Sequence, residues 1–357
     1  MTSDKNQNNV DQQKNLQSSP RFQKKPTVSE PSLEELTMGV LNGNRSSLAR
    51  AITVVESNAE HHFQMGQKLL QNILSATGKS IRIGITGVPG SGKSTFIEAF
   101  GTFLCSQGYL VAVLAVDPSS SVSGGSILGD KTRMGKLSNN PQAFIRPSPS
   151  GGKLGGVHRK TRETILLCEA AGFNVILVET VGVGQSEMVV REMVGFFLLL
   201  VLTGAGDELQ GMKKGIMELT DTIIVNKADG LNKPIAEKTC AEYKQILHFL
   251  QPATKGWETQ ATTCSALFAE GIQDIWQIIR RFEEKTKQSG VFEARRKNQT
   301  KDWVYSLIIE QLQASFFQNS EVRRLLPELE KEVLLGAKTV SSVVNDLLKI
   351  FFRSQKE

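Results

Sequence analysis

Gly87-Val-Pro-Gly-Ser-Gly-Lys-Ser-Thr95 has the spacing of a phosphate-binding loop: a glycine, four residues, then Gly92, Lys93 and Ser94. The apolar run Ile81-Arg-Ile-Gly-Ile-Thr86 precedes it, and an amphipathic segment beginning Thr95-Phe-Ile-Glu-Ala99 follows. That order is strand, loop, helix, the context in which the motif carries meaning. Glycines at 87, 90 and 92, with Pro89 and Ser91 between them, let successive backbone N–H groups turn inward around a phosphate. The new helix adds its positive end, and Lys93 reaches the β- and γ-phosphates. Ser94 offers a hydroxyl to Mg²⁺, and Thr95 continues the helix.

Asn226-Lys-Ala-Asp229 follows a second apolar run, Thr222-Ile-Ile-Val225. A carboxylate at Asp229 accepts two hydrogen bonds from the N1–H and N2–H₂ edge of guanine. Adenine lacks that donor pair and would leave the carboxylate unpaired, so such a site discriminates strongly. Lys227 lays its stem over the purine, and Asn226 ties this loop back to the phosphate loop. Ser265 and Ala266, after the strand-like Ala261-Thr-Thr263, fit the remaining base-contacting loop. Together these read as a GTP/GDP site.

The chain has 357 residues, 39% hydrophobic and 22% charged, ordinary for a globular protein. A net charge of +6 is mild, and no basic tract interleaves with aromatics. Solvated surface charge is the better reading than nucleic-acid binding. Four cysteines and four histidines stand without CxxC or metal-ligand spacing, which fits a reduced cytoplasmic compartment. The longest apolar stretch, Val194 to Leu202, is about half a bilayer span and reads as a buried strand. Residues 1–30 are rich in Asn, Gln, Ser and Lys. They read as a disordered tail, without the features of a signal peptide or presequence.

Residues 31–79 carry helical spacing. From 80 to 290, strand patterns at 81–86, 110–116, 143–146, 174–179, 196–203, 222–226 and 261–264 alternate with helical ones. The helical patterns lie near 93–107, 157–171, 186–193, 209–219, 234–250 and 271–288. This alternation predicts an α/β fold with a mostly parallel central sheet flanked by helices, its ligand at the carboxyl ends of the strands. Residues 291–357 carry two apolar helical stripes, Val304 to Phe316 and Val340 to Phe352. By pattern, each packs on the nucleotide domain or on a second subunit.

Between the nucleotide loops lie three carboxylates. Asp117 ends the strand Val111–Val116, Asp130 lies in Gly129-Asp-Lys, and Glu179 ends Val175–Val178. Mg²⁺ takes six oxygens, chiefly from carboxylates, phosphates and water. Glu179-Thr-Val-Gly182 stands where most GTPases carry Asp-x-x-Gly, and the Gly182 amide is placed to sense the γ-phosphate. Loops 118–135, 180–186 and 204–214 are candidate switches. No general base stands beside the attacking water, so slow intrinsic hydrolysis is expected.

The segments 84–99, 115–134, 144–156, 178–187, 204–219 and 226–230 together resemble the MeaB family. Its animal counterpart is MMAA, and its bacterial members carry the older labels ArgK or LAO/AO transport ATPase. The resemblance runs over about residues 32–350. It implies a SIMIBI-type P-loop NTPase fold and homodimers held by a C-terminal helical dimerisation arm; the charge pattern and the short apolar runs already point to no membrane or nucleic-acid partner. It implies a GTPase chaperone of methylmalonyl-CoA mutase that gates cofactor loading and protects or reactivates the enzyme. Adenosylcobalamin enters only through that partner. By position, Lys93 and Ser94 match the family's phosphate and Mg²⁺ residues, and Asp117, Asp130 and Glu179 its metal-site carboxylates. Asn226, Lys227 and Asp229 match its guanine readers, and 204–214 its third switch. Gly195, where an acid is expected, and His158, where a small residue is usual, depart from the pattern. A different cobalamin-dependent mutase is an alternative client. A nickel-insertion GTPase lacks its Cys/His site here, and an energiser of amino-acid transport, the older label, would need a membrane partner.

Overall fold

The computed structural model describes residues 31–117, 134–149, 154–180, 186–203 and 214–354. The tail, Asp130, Gly182 and most of all three candidate switch loops lie outside the described residues. So do the side chains of Asp117 and His158.

Seven strands form one sheet: β1 (Ile81–Gly87), β2 (Val111–Asp117), β3 (Ala143–Pro149), β4 (Val175–Thr180), β5 (Phe196–Val201), β6 (Thr222–Val225) and β7 (Gln260–Thr263). Their spatial order is β3-β2-β4-β1-β5-β6-β7, and every pairing is parallel. Each sequence-derived strand is present; the central β4, β5 and β6 are buried throughout and read as apolar runs, whereas the edge strand β7, Gln-Ala-Thr-Thr, is only partly buried. β1, the strand that feeds the phosphate loop, is central and pairs with β4 and β5.

Side chains alternate between two cores. Ile81, Ile83, Ile85, Val111 and Val113 join one face, covered by α4 (Lys93–Ser106) and α10 (Ile272–Gln288). Ala112, Leu114, Val116, Ile176 and Val178 join the other. That face is covered by α1 (Leu33–Leu41), α2 (Arg45–Glu56), α3 (Glu60–Ile73), α6 (Leu154–Ala170) and α7 (Ser186–Arg191). The short α5 (Gly135–Ser138) seats Leu137 against Gly101 of α4. α8 (Lys214–Met217) and α9 (Lys233–Leu247) close a third core over β5, β6 and β7. The helix expected over 209–219 is four residues long within the described chain.

The C-terminal arm holds α11 (Val291–Gln318), α12 (Ser320–Leu334) and α13 (Val340–Ser354). The sequence stripes pick out α11 and α13. The intervening α12 has Pro327 inside it, and its start is fixed by Asn319, whose side chain accepts from Glu321 N and Val322 N at 3.1 Å. Val322, Val343, Leu347 and Phe351 form a small core of the arm's own. Its root is fastened to the amino ends of the strands. There Arg295 donates to Gly195 O at 2.6 Å and to Thr254, Arg296 to Gly78 O and Ser80 O, and Gln299 to Val194 O at 2.9 Å. Gly195 has a packing reason: a β-carbon there would stand 3.1 Å from Phe292 Cε2 of α11.

Candidate functional site

The phosphate loop runs from β1 straight into α4. Gly90 and Gly92 hold φ values of +81° and +86°, the left-handed region that glycine adopts without strain. A β-carbon at Gly92 would also stand 2.7 Å from Asn226 Nδ2, so the guanine loop can dock only against a glycine here. α4 begins at Lys93 itself, aiming its free N–H groups into the loop. The Lys93 ammonium donates to Gly87 O at 2.8 Å and Val88 O at 3.3 Å. Burial pulls its pKa below the ordinary lysine value, while Glu179 and Glu187 oppose the shift.

Ser94 Oγ lies 3.4 Å from Glu179 Oε1, and Glu179 is buried at the end of β4. The parallel register sets Val116 against Thr180, so the backbone of Asp117 ends β2 at the same edge. This brings Ser94, Glu179 and the Asp117 position together. Among the described residues, no group of three or more His, Cys, Asp or Glu could hold a metal ion. Hard oxygen donors flanking a phosphate cradle are what Mg²⁺ takes when substrate phosphates and water complete its shell. The buried Ser91 hydroxyl lacks a hydrogen-bond partner inside the loop, a polar group fit to face a phosphate. The residues present therefore fit a magnesium–nucleotide pair.

The guanine loop is built by two contacts from one side chain. Asn226 Nδ2 donates to Ser91 O at 2.8 Å, and Asn226 Oδ1 accepts from Ala266 N at 3.2 Å. One buried amide thus joins the phosphate loop, the loop after β6 and the loop after β7. Lys227 sits at φ +60°, an uncommon conformation for a side-chain-bearing residue and one found at ligand sites. Its side chain is exposed, and Asn232 Nδ2 donates to its carbonyl at 2.6 Å. Ser265 Oγ donates to Asp229 Oδ2 at 2.6 Å, which fixes the half-buried carboxylate.

Three buried side chains that the sequence reading did not single out complete the framework. Thr180 Oγ1 and Thr86 Oγ1, both fully buried, meet at 2.8 Å and lock the ends of β4 and β1 together. Two threonines at strand ends give no signal until the strand order is known. Glu187, almost fully buried on α7, also acts on Lys93. Its neighbourhood depends on how α7 lies on the sheet.

A family model described as "Methylmalonyl Co-A mutase-associated GTPase MeaB" matches residues 48–321. The Escherichia coli (strain K12) protein "GTPase ArgK" is 46% identical over 297 residues, 83% of this chain and 90% of that one. The mouse protein "Methylmalonic aciduria type A homolog, mitochondrial" is 44% identical over 329 residues, covering 89% of this chain and 79% of that one. Among solved structures, "LAO/AO transport system kinase" superposes with a TM-score of 0.71 at 36% identity, covering 89% of this chain and 97% of that one.

Proposed function

Because the chain belongs to the MeaB family of methylmalonyl-CoA mutase-associated GTPases, we propose that it is a GTP-hydrolysing chaperone of adenosylcobalamin-dependent methylmalonyl-CoA mutase. In this reading it gates cofactor loading and protects or reactivates that enzyme. GTP hydrolysis itself is the activity of the family and of this chain. The observation that carries the nucleotide reading is the Asn226 side chain joining the phosphate and guanine loops.

Within this proposal Lys93 leaves its carbonyl partners for the β- and γ-phosphates. Ser94 and Glu179, with Asp117 and Asp130, hold Mg²⁺, which neutralises charge on the phosphates when bound. Asp229, oriented by Ser265, reads the guanine edge, and Lys227 covers its face. Gly182 senses the γ-phosphate. Phosphoryl transfer relies on positioning and electrostatics. The sequence offers no evident general base for the attacking water, so slow turnover by the isolated protein is the expectation.

The arm supports a homodimer. Val304, Tyr305, Ile308, Ile309 and Leu312 make a stripe on α11 in which each residue is about half exposed or more. Along α13, Val340, Val344, Leu348 and Phe352 face away from the arm's own core. Such large exposed apolar faces mark subunit contacts. Ile308→Glu with Leu312→Glu is expected to give monomers by light scattering and to leave Arg295, Arg296 and Gln299 in place. A variant that still runs as a dimer would move the interface elsewhere.

The decisive experiment is GTP turnover by the purified protein, alone and with methylmalonyl-CoA mutase from the same organism. A many-fold rise with mutase supports the chaperone reading. Slow turnover indifferent to the mutase would overturn that client and leave the GTPase standing.

A further inference from the structure

Lys227 carries its side chain at φ +60°, in the left-handed region where a β-carbon crowds the backbone. Such a conformation persists only where the surroundings hold it. The lysine stem runs back toward the phosphate loop: its Cε lies 4.0 Å from where a β-carbon on Gly92 would stand. The neighbours of Lys227 are each anchored. Asn226 is tied to Ser91 O and Ala266 N, Ala228 N donates to Cys264 O at 3.0 Å, and Asp229 is held by Ser265. The carbonyl of Lys227 itself accepts from Asn232 Nδ2 at 2.6 Å.

Asn232 lies outside the four-residue guanine motif. It reaches Lys227 because the chain turns back at once. Gly230 sits at φ +50°, Gly230–Asn232 forms a single 3₁₀ turn, and Asn232 N donates to Asp229 O at 2.9 Å. A carbonyl can only accept, so the amide nitrogen of Asn232 must face Lys227, and Oδ1 is left to accept elsewhere. That oxygen accepts from Thr203 Oγ1 at 2.8 Å. The sheet register puts Thr203 there. Val201 of β5 stands against Val225 of β6, so two residues further on Thr203 comes level with Lys227. One half-buried amide therefore joins the lysine to the carboxyl end of β5.

We propose that Asn232 is a positioning residue for purine binding. It holds Lys227 in the left-handed conformation that lays its stem across the base, and Thr203 holds Asn232 in turn. This rests on the nucleotide site proposed above. The ligand class is a guanine nucleoside di- or triphosphate. Asn232 acts through Lys227 on the base and contributes nothing to the phosphates.

The test uses the full-length chain with Mg²⁺ and a fluorescent GDP analogue, displaced by unlabelled GDP and, separately, by inorganic pyrophosphate. Asn232→Ala removes both bonds. It is expected to weaken GDP on the order of tenfold and to leave pyrophosphate within about twofold. Thr203→Val, close in shape, removes only the bond to Oδ1 and is expected to weaken GDP about two- to fivefold. On a Lys227→Ala background, Asn232→Ala is expected to add little, because the side chain it positions is already gone. Unchanged GDP affinity in Asn232→Ala overturns the proposal. An equal loss for GDP and pyrophosphate does so too, since it marks general damage to the fold, and so does a fully additive loss on the Lys227→Ala background. Unchanged affinity in Thr203→Val overturns the part given to Thr203. A wild-type protein that binds neither ligand would instead overturn the nucleotide site itself, so the two failures are distinguishable.

Discussion

The two ends of the sheet both bury charge, but they treat it differently. At the amino ends, Asp221 is fully buried and saturated. It accepts from Phe197 N at 2.9 Å, from Arg191 Nη1 at 2.8 Å and from the Thr254 hydroxyl, with Arg295 3.9 Å away. Burial pulls Arg295 down to about 10, yet its guanidinium donates to Gly195 O and to the Thr254 hydroxyl. At the carboxyl ends, Lys93 rests on two backbone carbonyls, Ser94 and Glu179 meet at a long 3.4 Å, and the Ser91 hydroxyl has no partner among the described residues. A closed network fastens one element to another. An open one, whose bonds are long or made to groups that another ligand can replace, is prepared to exchange them.

The sharpest way to break this contrast is Lys93→Ala. Loss of the phosphate-binding cation at the open end is expected to cost at least about a thousandfold in GTP turnover. Thermal stability should change little, since its present partners are solvent-replaceable carbonyls. Unchanged turnover in a phosphate-release assay would refute the assignment.

Asp221→Ala should do the reverse. It strands Arg191 and Arg295 at the closed end and is expected to cost roughly 3–5 kcal/mol in urea unfolding. A loss below about 1 kcal/mol, the scale of an exposed pair, would mean the network is not the anchor it looks like.

Asp229→Asn tests the open end more finely. The amide donates where the carboxylate only accepted, so GTP affinity is expected to fall roughly 10- to 100-fold while xanthosine nucleotides gain. Competition binding that left GTP ahead would remove Asp229 from guanine recognition.

The smallest effect lies between the two ends, on α6. Glu163 is buried against Gln67 of α3, with Arg159 and Lys160 on its own helix and Glu310 on α11. Burial raises its pKa to about 7. A carboxyl raised in the fold gives its full stability below its unfolded value, and that contribution drains away as pH rises through about 7. Glu163→Gln is therefore expected to stabilise the protein by about 1–2 kcal/mol at pH 8 and to do little near pH 4.5. Thermal unfolding across that range checks it. A gain at low pH instead would reverse the sign and place the carboxylate in a favourable pair.

Much of this protein was legible as a string. The central strands announced themselves because a strand covered on both faces must be apolar, while the edge strands β3 and β7 were read from their place in the alternation. The phosphate and guanine loops did so because glycine positions and a terminal carboxylate are local necessities of holding phosphate and guanine. The α12 helix was hidden by Pro327, and only its Asn319 cap and its packing against α13 explain why it forms. The Thr86–Thr180 contact and the Asp221 network were not legible at all. Each joins residues separated by tens of positions along the chain: the first needs β4 and β1 to be neighbours, and the second needs α7, α11 and Thr254 brought to the start of β5. Local backbone chemistry fixed the loops that meet a ligand, because a few consecutive residues suffice to shape them. Which buried charges face one another was settled only by tertiary packing, because burial makes a charge choose its partner from whatever the fold brings near.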